Sequence, residues 1–131
     1  MIVLLALACA GDDPVDSGDT GEPLDPTFTN VKVEIFQLSC QSSSCHGGRG
    51  SSDLSLDDDV AWSEIVNVES TDVPGEILVV PGDPSASYLV RKCRAEQGIT
   101  GEPMPKGTPT GLDAPRLDLL EAWVAAGALD D

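Results

Sequence analysis

The chain contains one histidine, and that histidine stands directly after the second of two cysteines in "CQSSSCHGG", Cys40 to Gly48. No other feature constrains the fold as much. Cys40, Cys45 and His46 are tied to one short loop, so whatever the two sulfurs and the imidazole serve must sit against that loop. The rest of the chain offers little material for an ordinary core. Its 131 residues leave room for one compact domain. With 4% aromatic residues, 13 glycines and 10 prolines, such a domain buries little apolar area. Net stability is only a small remainder between large opposing quantities. Something other than side chains is expected to complete the core.

Hydrophobic periodicity predicts helices rather than sheet. In "NVKVEIFQLSC", Asn30 is a capping residue, and Val31, Ile35 and Leu38 fall on one helical face. The alternation of Val31, Val33 and Ile35 is also compatible with a short strand. The acids of "SLDDD" suit the amino end of a second helix carrying Val60, Trp62, Ile65 and Val66. "EILVVPGDPSASYLVRKC" reads as a short extended piece, a Pro-Gly turn and a third helix. Asp83 would cap that helix, Pro84 would open it, and Tyr88 and Leu89 would face inward. Residues 94–112 form a long loop punctuated by Gly and Pro, and a long loop in a small domain is usually functional or disordered. "DAPRLDLLEAWVAAGALDD" gives the clearest helix, with Asp113 at its cap, Pro115 in the first turn and Gly127 as its stop. Leu117, Leu120 and Val124 form one stripe, with Trp123 beside it. The expected fold class is all-α, short helices joined by long loops.

Three chemistries could use the cysteine and histidine stretch. In the first, Cys40 and Cys45 form thioethers with the two vinyl groups of a haem and His46 supplies an axial nitrogen to the iron. C-x-x-C-H is the usual form of that site, and here four residues, Gln41 to Ser44, separate the cysteines. Small serines suit extra residues that bulge from a tight loop, and Gly47 and Gly48 would let the backbone turn closely. In the second, Cys40, Cys45, His46 and Cys93 form a Cys3His zinc site. In the third, a disulfide closes Cys40 to Cys45 or ties one of them to Cys93, in a non-catalytic extracytoplasmic binding module. Only the first explains where the histidine stands.

A haem read this way needs a sixth ligand, and a second histidine does not exist. Methionine is the remaining usual choice. Apart from Met1 the sequence has only Met104, in "GEPMPKG" within the long loop, between Pro103 and Pro105. No Ser-His-Asp or paired-carboxylate arrangement is visible, so an enzyme is not expected.

From Asn30 onward, about three quarters of its length, the chain resembles a mono-haem c-type cytochrome domain of bacterial envelope proteins. The resemblance rests on "CQSSSCHGG", "VVPGDPSASYLVRK", "MPKG" and "LLEAWVAAGA" in that order. It implies an all-α cytochrome c-like fold whose first and last helices cross beside the haem, with Phe36 and Trp123 as candidates for the crossing. It also implies Cys40 and Cys45 as attachment points for haem c, His46 as proximal ligand, Met104 as distal ligand, and one-electron transfer as the function. The spacer has four residues where two are usual, and the resemblance gives Cys93 no role.

Residues 1–8, "MIVLLALA", form an apolar run too short to span a bilayer, which needs about 20 residues. They are expected to be the hydrophobic part of a secretory signal; the positive residues that should precede it are missing, so either its start lies upstream or the run is an apolar tail. "LALAC" resembles the lipobox of bacterial lipoproteins, with Ala6 where leucine is usual, and so implies a lipid on Cys9. Residues 9–29 are rich in Gly, Pro, Asp, Ser and Thr, have no Lys or Arg, and should form a flexible acidic tether. Residues 30–131 are the expected domain. The whole chain carries 7 basic and 23 acidic residues, for a formal charge of −16, and the domain alone about −10. That sign disfavours nucleic acid and anionic lipid. The expected setting is the bacterial cell envelope, lipid-anchored or periplasmic, with the outer membrane favoured. The expected partner is a redox protein with a basic docking face.

Overall fold

A computed structural model describes residues 22–48 and 52–131. The apolar run of residues 1–8, expected to be a signal, and Cys9 lie outside the described residues. Helix α1 (residues 28–39) starts where the Thr27 hydroxyl accepts the Asn30 N–H at 3.2 Å. Phe28 and Thr29, placed in the tether by composition, therefore belong to the helix, and Thr27 rather than Asn30 is its cap. The helix is α-helical over Phe28–Val31, π-helical over Lys32–Phe36 and α-helical again over Gln37–Ser39. In the wide turn the Gln37 N–H reaches back to the Lys32 carbonyl. The added residue in that turn rotates the buried face, because an i+5 bond advances the chain further than an i+4 bond. Val31, Ile35 and Phe36 are buried, whereas Leu38, expected inside, is 63% exposed.

The last helix, α4 (Ala114–Ala125), begins at Asp113, whose carboxylate accepts the Arg116 N–H at 3.2 Å. It stops just before Gly127, whose φ of +114° only a residue without Cβ adopts easily. Leu119, Leu120, Trp123 and Val124 are buried and Leu117 is half-buried. Asp113→Ala should cost about 1 kcal/mol in denaturant unfolding through loss of the cap.

Helices α1 and α4 pack together through rings. Phe28 stacks on Trp123 with centroids 5.1 Å apart, and Phe36 meets the edge of Phe28 at 6.2 Å. Phe28, which no helical pattern in the sequence singles out, is the ring that joins Phe36 to Trp123. Asp131 finishes the junction: its carboxylate accepts the Phe28 N–H and its carbonyl accepts the Thr29 N–H, at 2.8 and 2.9 Å.

Two shorter helices lie between. Helix α2 (Ala61–Ile65) has five residues, with Val60 and Val66 at its caps rather than inside it. Helix α3 (Tyr88–Cys93) starts four residues later than the Pro84 start expected. The reason is local: Asp83 closes a turn onto the Ala86 N–H at 3.1 Å, and the buried Ser87 hydroxyl accepts the Val80 N–H at 2.8 Å. The chain is therefore held against the extended piece before it can wind. Tyr88 and Val90 are buried, with Leu89 only partly so. Among the described residues the extended segments form only isolated bridges, Val66 with Val79 and Glu69 with Ile77, and the 31–35 stretch is helical. Regular secondary structure among the described residues is thus helical, with no regular sheet. None of their helices is long and apolar enough to cross a membrane.

Candidate functional site

Helix α1 delivers Cys40 at its end, where the Cys40 and Gln41 N–H groups both bond the Phe36 carbonyl at 2.9 Å. The chain then folds back on itself. The His46 N–H reaches the Cys40 carbonyl at 3.0 Å, and the Cys45 and Gly47 N–H groups share the Ser42 carbonyl at 2.9 and 3.1 Å. Ser42, Ser43 and Ser44 are exposed, so the extra spacer residues do bulge outward, with the Ser42 and Ser44 hydroxyls 3.1 Å apart. A Cβ at Gly47 would lie 2.2 Å from the Gln41 carbonyl oxygen. Only glycine permits this closure. Gly47→Ala should lower stability by about 1–3 kcal/mol, as overpacking of a rigid contact does, and should reduce the yield of any group attached to the loop.

A second segment straps the loop in place. The Leu56 N–H bonds the His46 carbonyl at 2.8 Å, and the Asp57 carboxylate accepts the Gly48 N–H at 2.8 Å. Asp58 accepts the side-chain amides of Gln37 and Gln41 at 2.8 and 2.7 Å. Two acids expected to support the start of α2 instead hold the cysteine loop through their carboxylates. The Leu54 carbonyl lies 3.2 Å from Nδ1 of His46. With Nδ1–H donating there, the ring is oriented and Nε2 keeps a free lone pair, the arrangement common for a metal-ligating histidine.

These pieces surround a cavity of about 400 Å³. Cys40, Cys45, His46 and Met104 all lie on its wall, together with apolar side chains including Ile35, Phe36, Leu56, Leu89 and Leu112. Met104, in the long loop, is separated by more than fifty residues from the cysteine stretch, yet the fold brings it to the same space. The volume falls within the range of about 300–1,000 Å³ usual for cofactor and ligand sites. Asp53, Asp72 and Lys106 supply charge on the wall. The donor set and the apolar lining fit a haem: two thiols on one short loop, an oriented imidazole and a thioether.

Cys93 lines the cavity too and is buried. Burial pushes the Cys93 thiol up to about 12, with Cys40 adding to the rise and Lys92 opposing it. The Cys40 thiol is pushed up to about 11, first by burial and then by Cys45. Both groups are therefore neutral thiols at neutral pH. Cys40, Cys45 and Cys93 carry no disulfide. Among the described residues, no three His, Cys, Asp or Glu side chains are grouped so as to hold a metal ion. Cys40, Cys45, His46 and Cys93 thus share a cavity without closing the tetrahedral site that the zinc reading requires.

No protein-family model, curated protein or solved structure matches the chain. Sequence reasoning missed the Leu54 carbonyl, the strap built on Asp57 and Asp58, and the apolar wall. The wall residues lie on four separate stretches with no common period. The strap did leave a trace, in the run "SLDDD" that ends the polar segment after the histidine.

Proposed function

We propose that the chain is a one-electron carrier whose domain adopts a cytochrome c-like fold around a covalently held haem c. Cys40 and Cys45 are its attachment points, and His46 and Met104 its axial ligands. The observation that carries this reading is the convergence of the Cys40, Cys45 and His46 loop with Met104, distant in sequence, on one cavity of about 400 Å³. Haem bound in this way would supply one-electron exchange between Fe(II) and Fe(III), with His46 and Met104 both engaged as ligands. His46 is held by Leu54 for ligation through Nε2. Met104, a neutral soft ligand, favours Fe(II) and raises the potential, and the apolar wall disfavours the additional charge of Fe(III). Asp53 and Asp72 act in the opposite direction, weakened by solvent screening. The chain is a carrier rather than an enzyme.

The charge of −16 favours a redox partner with a basic docking face and disfavours nucleic acid. A lipid on Cys9 and an acidic tether would hold the domain at a bacterial envelope membrane, and the outer membrane is favoured. The reading is tested by a pyridine haemochrome spectrum of protein exported from cells that possess haem-attachment machinery. A c-type band that survives acid-acetone extraction is the expected result. Protein without haem would leave a cysteine-bearing binding module as the better account.

A further inference from the structure

Residues 94–112 have no regular secondary structure, yet they are pinned to helix α3 at several points. The Met104 N–H donates to the Lys92 carbonyl at 3.0 Å, and the Leu112 N–H donates to the Cys93 carbonyl at 2.9 Å. Ahead of both points, the Lys92 ammonium donates to the Thr100 carbonyl at 2.6 Å, and the Thr100 N–H donates to the Tyr88 hydroxyl at 3.0 Å. The return of the loop depends on contact between backbones: a Cβ at Gly111 would lie 2.0 Å from the Cys93 carbonyl oxygen and 3.2 Å from the Ala95 nitrogen. Its φ of +76° also belongs to the region that favours glycine.

A methionine side chain has several rotatable bonds and no strong polar anchor. Where its sulfur sits is therefore decided by where its backbone is held. From this geometry we infer that the carboxyl end of α3, closed upon by Gly111, is the clamp that presents Met104 to the cavity, with Gly111, Lys92 and Tyr88 as positioning residues. The inference rests on the haem reading above and assigns to these residues the occupancy of the distal ligand. One face of the clamp, at Cys93 and Leu112, is itself cavity wall. Displacing the loop there moves the ligand and opens the site together.

The test uses holoprotein from cells with haem-attachment machinery and compares wild type with Gly111→Ala, Tyr88→Phe, Lys92→Ala and Lys92→Arg. All should carry covalent haem. Gly111→Ala should lose the methionine-to-iron charge-transfer band of the ferric protein. It should also bind added imidazole at least about tenfold more tightly, because apparent affinity follows the fraction of molecules whose sixth position is free. Tyr88→Phe and Lys92→Ala should shift both readouts in the same direction by less, and Lys92→Arg should restore them. If Gly111→Ala does not accumulate, the Lys92 pair and Tyr88→Phe decide the matter by the same readouts. A wild-type band with variants indistinguishable from wild type in band and imidazole affinity would overturn the clamp and leave the haem reading standing. Wild-type protein lacking covalent haem or the methionine band would remove the reading on which the clamp rests.

Discussion

Produced without haem, or with Cys40 and Cys45 both replaced by alanine, the domain is expected to be largely unfolded. The argument starts from size. A domain of about a hundred residues retains a net stability of only about 5–15 kcal/mol. Here several of the core residues that supply it, Ile35, Phe36, Leu56 and Leu112 among them, with Leu89 packed against them, also line a cavity of about 400 Å³. Without an occupant those walls lack partner atoms on their cavity side, and the packing energy of that side is lost. A group that binds only the folded state shifts the equilibrium toward it. The ring cluster of Phe28, Phe36 and Trp123 joins α1 to α4, but α2 and α3 have five and six residues. Helices of that length do not persist without tertiary support. Circular dichroism and proton NMR should therefore show weak helicity and poor dispersion for the haem-free chain, and a cooperative transition only for the holoprotein. A well-dispersed spectrum of the haem-free chain would sink the idea that the cofactor completes the core.

The second large effect is expected at Met104. Met104→Ala should keep covalent haem, because Cys40, Cys45 and His46 stand on a loop stabilised independently by Gly47 and by the Leu56, Asp57 and Asp58 strap. It should lose the methionine band, gain affinity for small external ligands and fall in reduction potential. Axial ligation spreads haem potentials over about 0.8 V, so a fall of at least about 0.1 V is the scale to look for. A spectroelectrochemical titration beside wild type measures it. An unchanged potential and an intact band would mean that Met104 is no ligand, however close the fold brings it to the cavity.

The ends of the domain were legible from sequence because their signals are local. Asp113, Pro115 and Gly127 mark α4 through capping chemistry that needs no tertiary partner, and the structure keeps all three in those places. The first helix was legible in kind but not in register. The π turn over Lys32–Phe36 moves Phe36 inward and Leu38 outward, and no periodic template contains that insertion. Helix α3 begins later than its sequence predicts because Asp83 and Pro84 are equally good openers of a turn. Ser87, whose hydroxyl binds Val80, settles which one forms. The candidate site was legible in its polar members, since Cys40, Cys45, His46 and Met104 are rare residues in an economical chain. Its walls and supports were not. Leu54 acts through a backbone carbonyl and Gly111 through the absence of a side chain, and neither leaves a motif.

The most direct measurement is the intact mass of protein exported from cells with haem-attachment machinery, followed by the mass of the tryptic peptide containing Cys40 and Cys45. The account predicts the addition of one haem to the chain, located on that peptide and resistant to reductant and acid-acetone. An unmodified peptide whose two cysteines alkylate freely after reduction would contradict it.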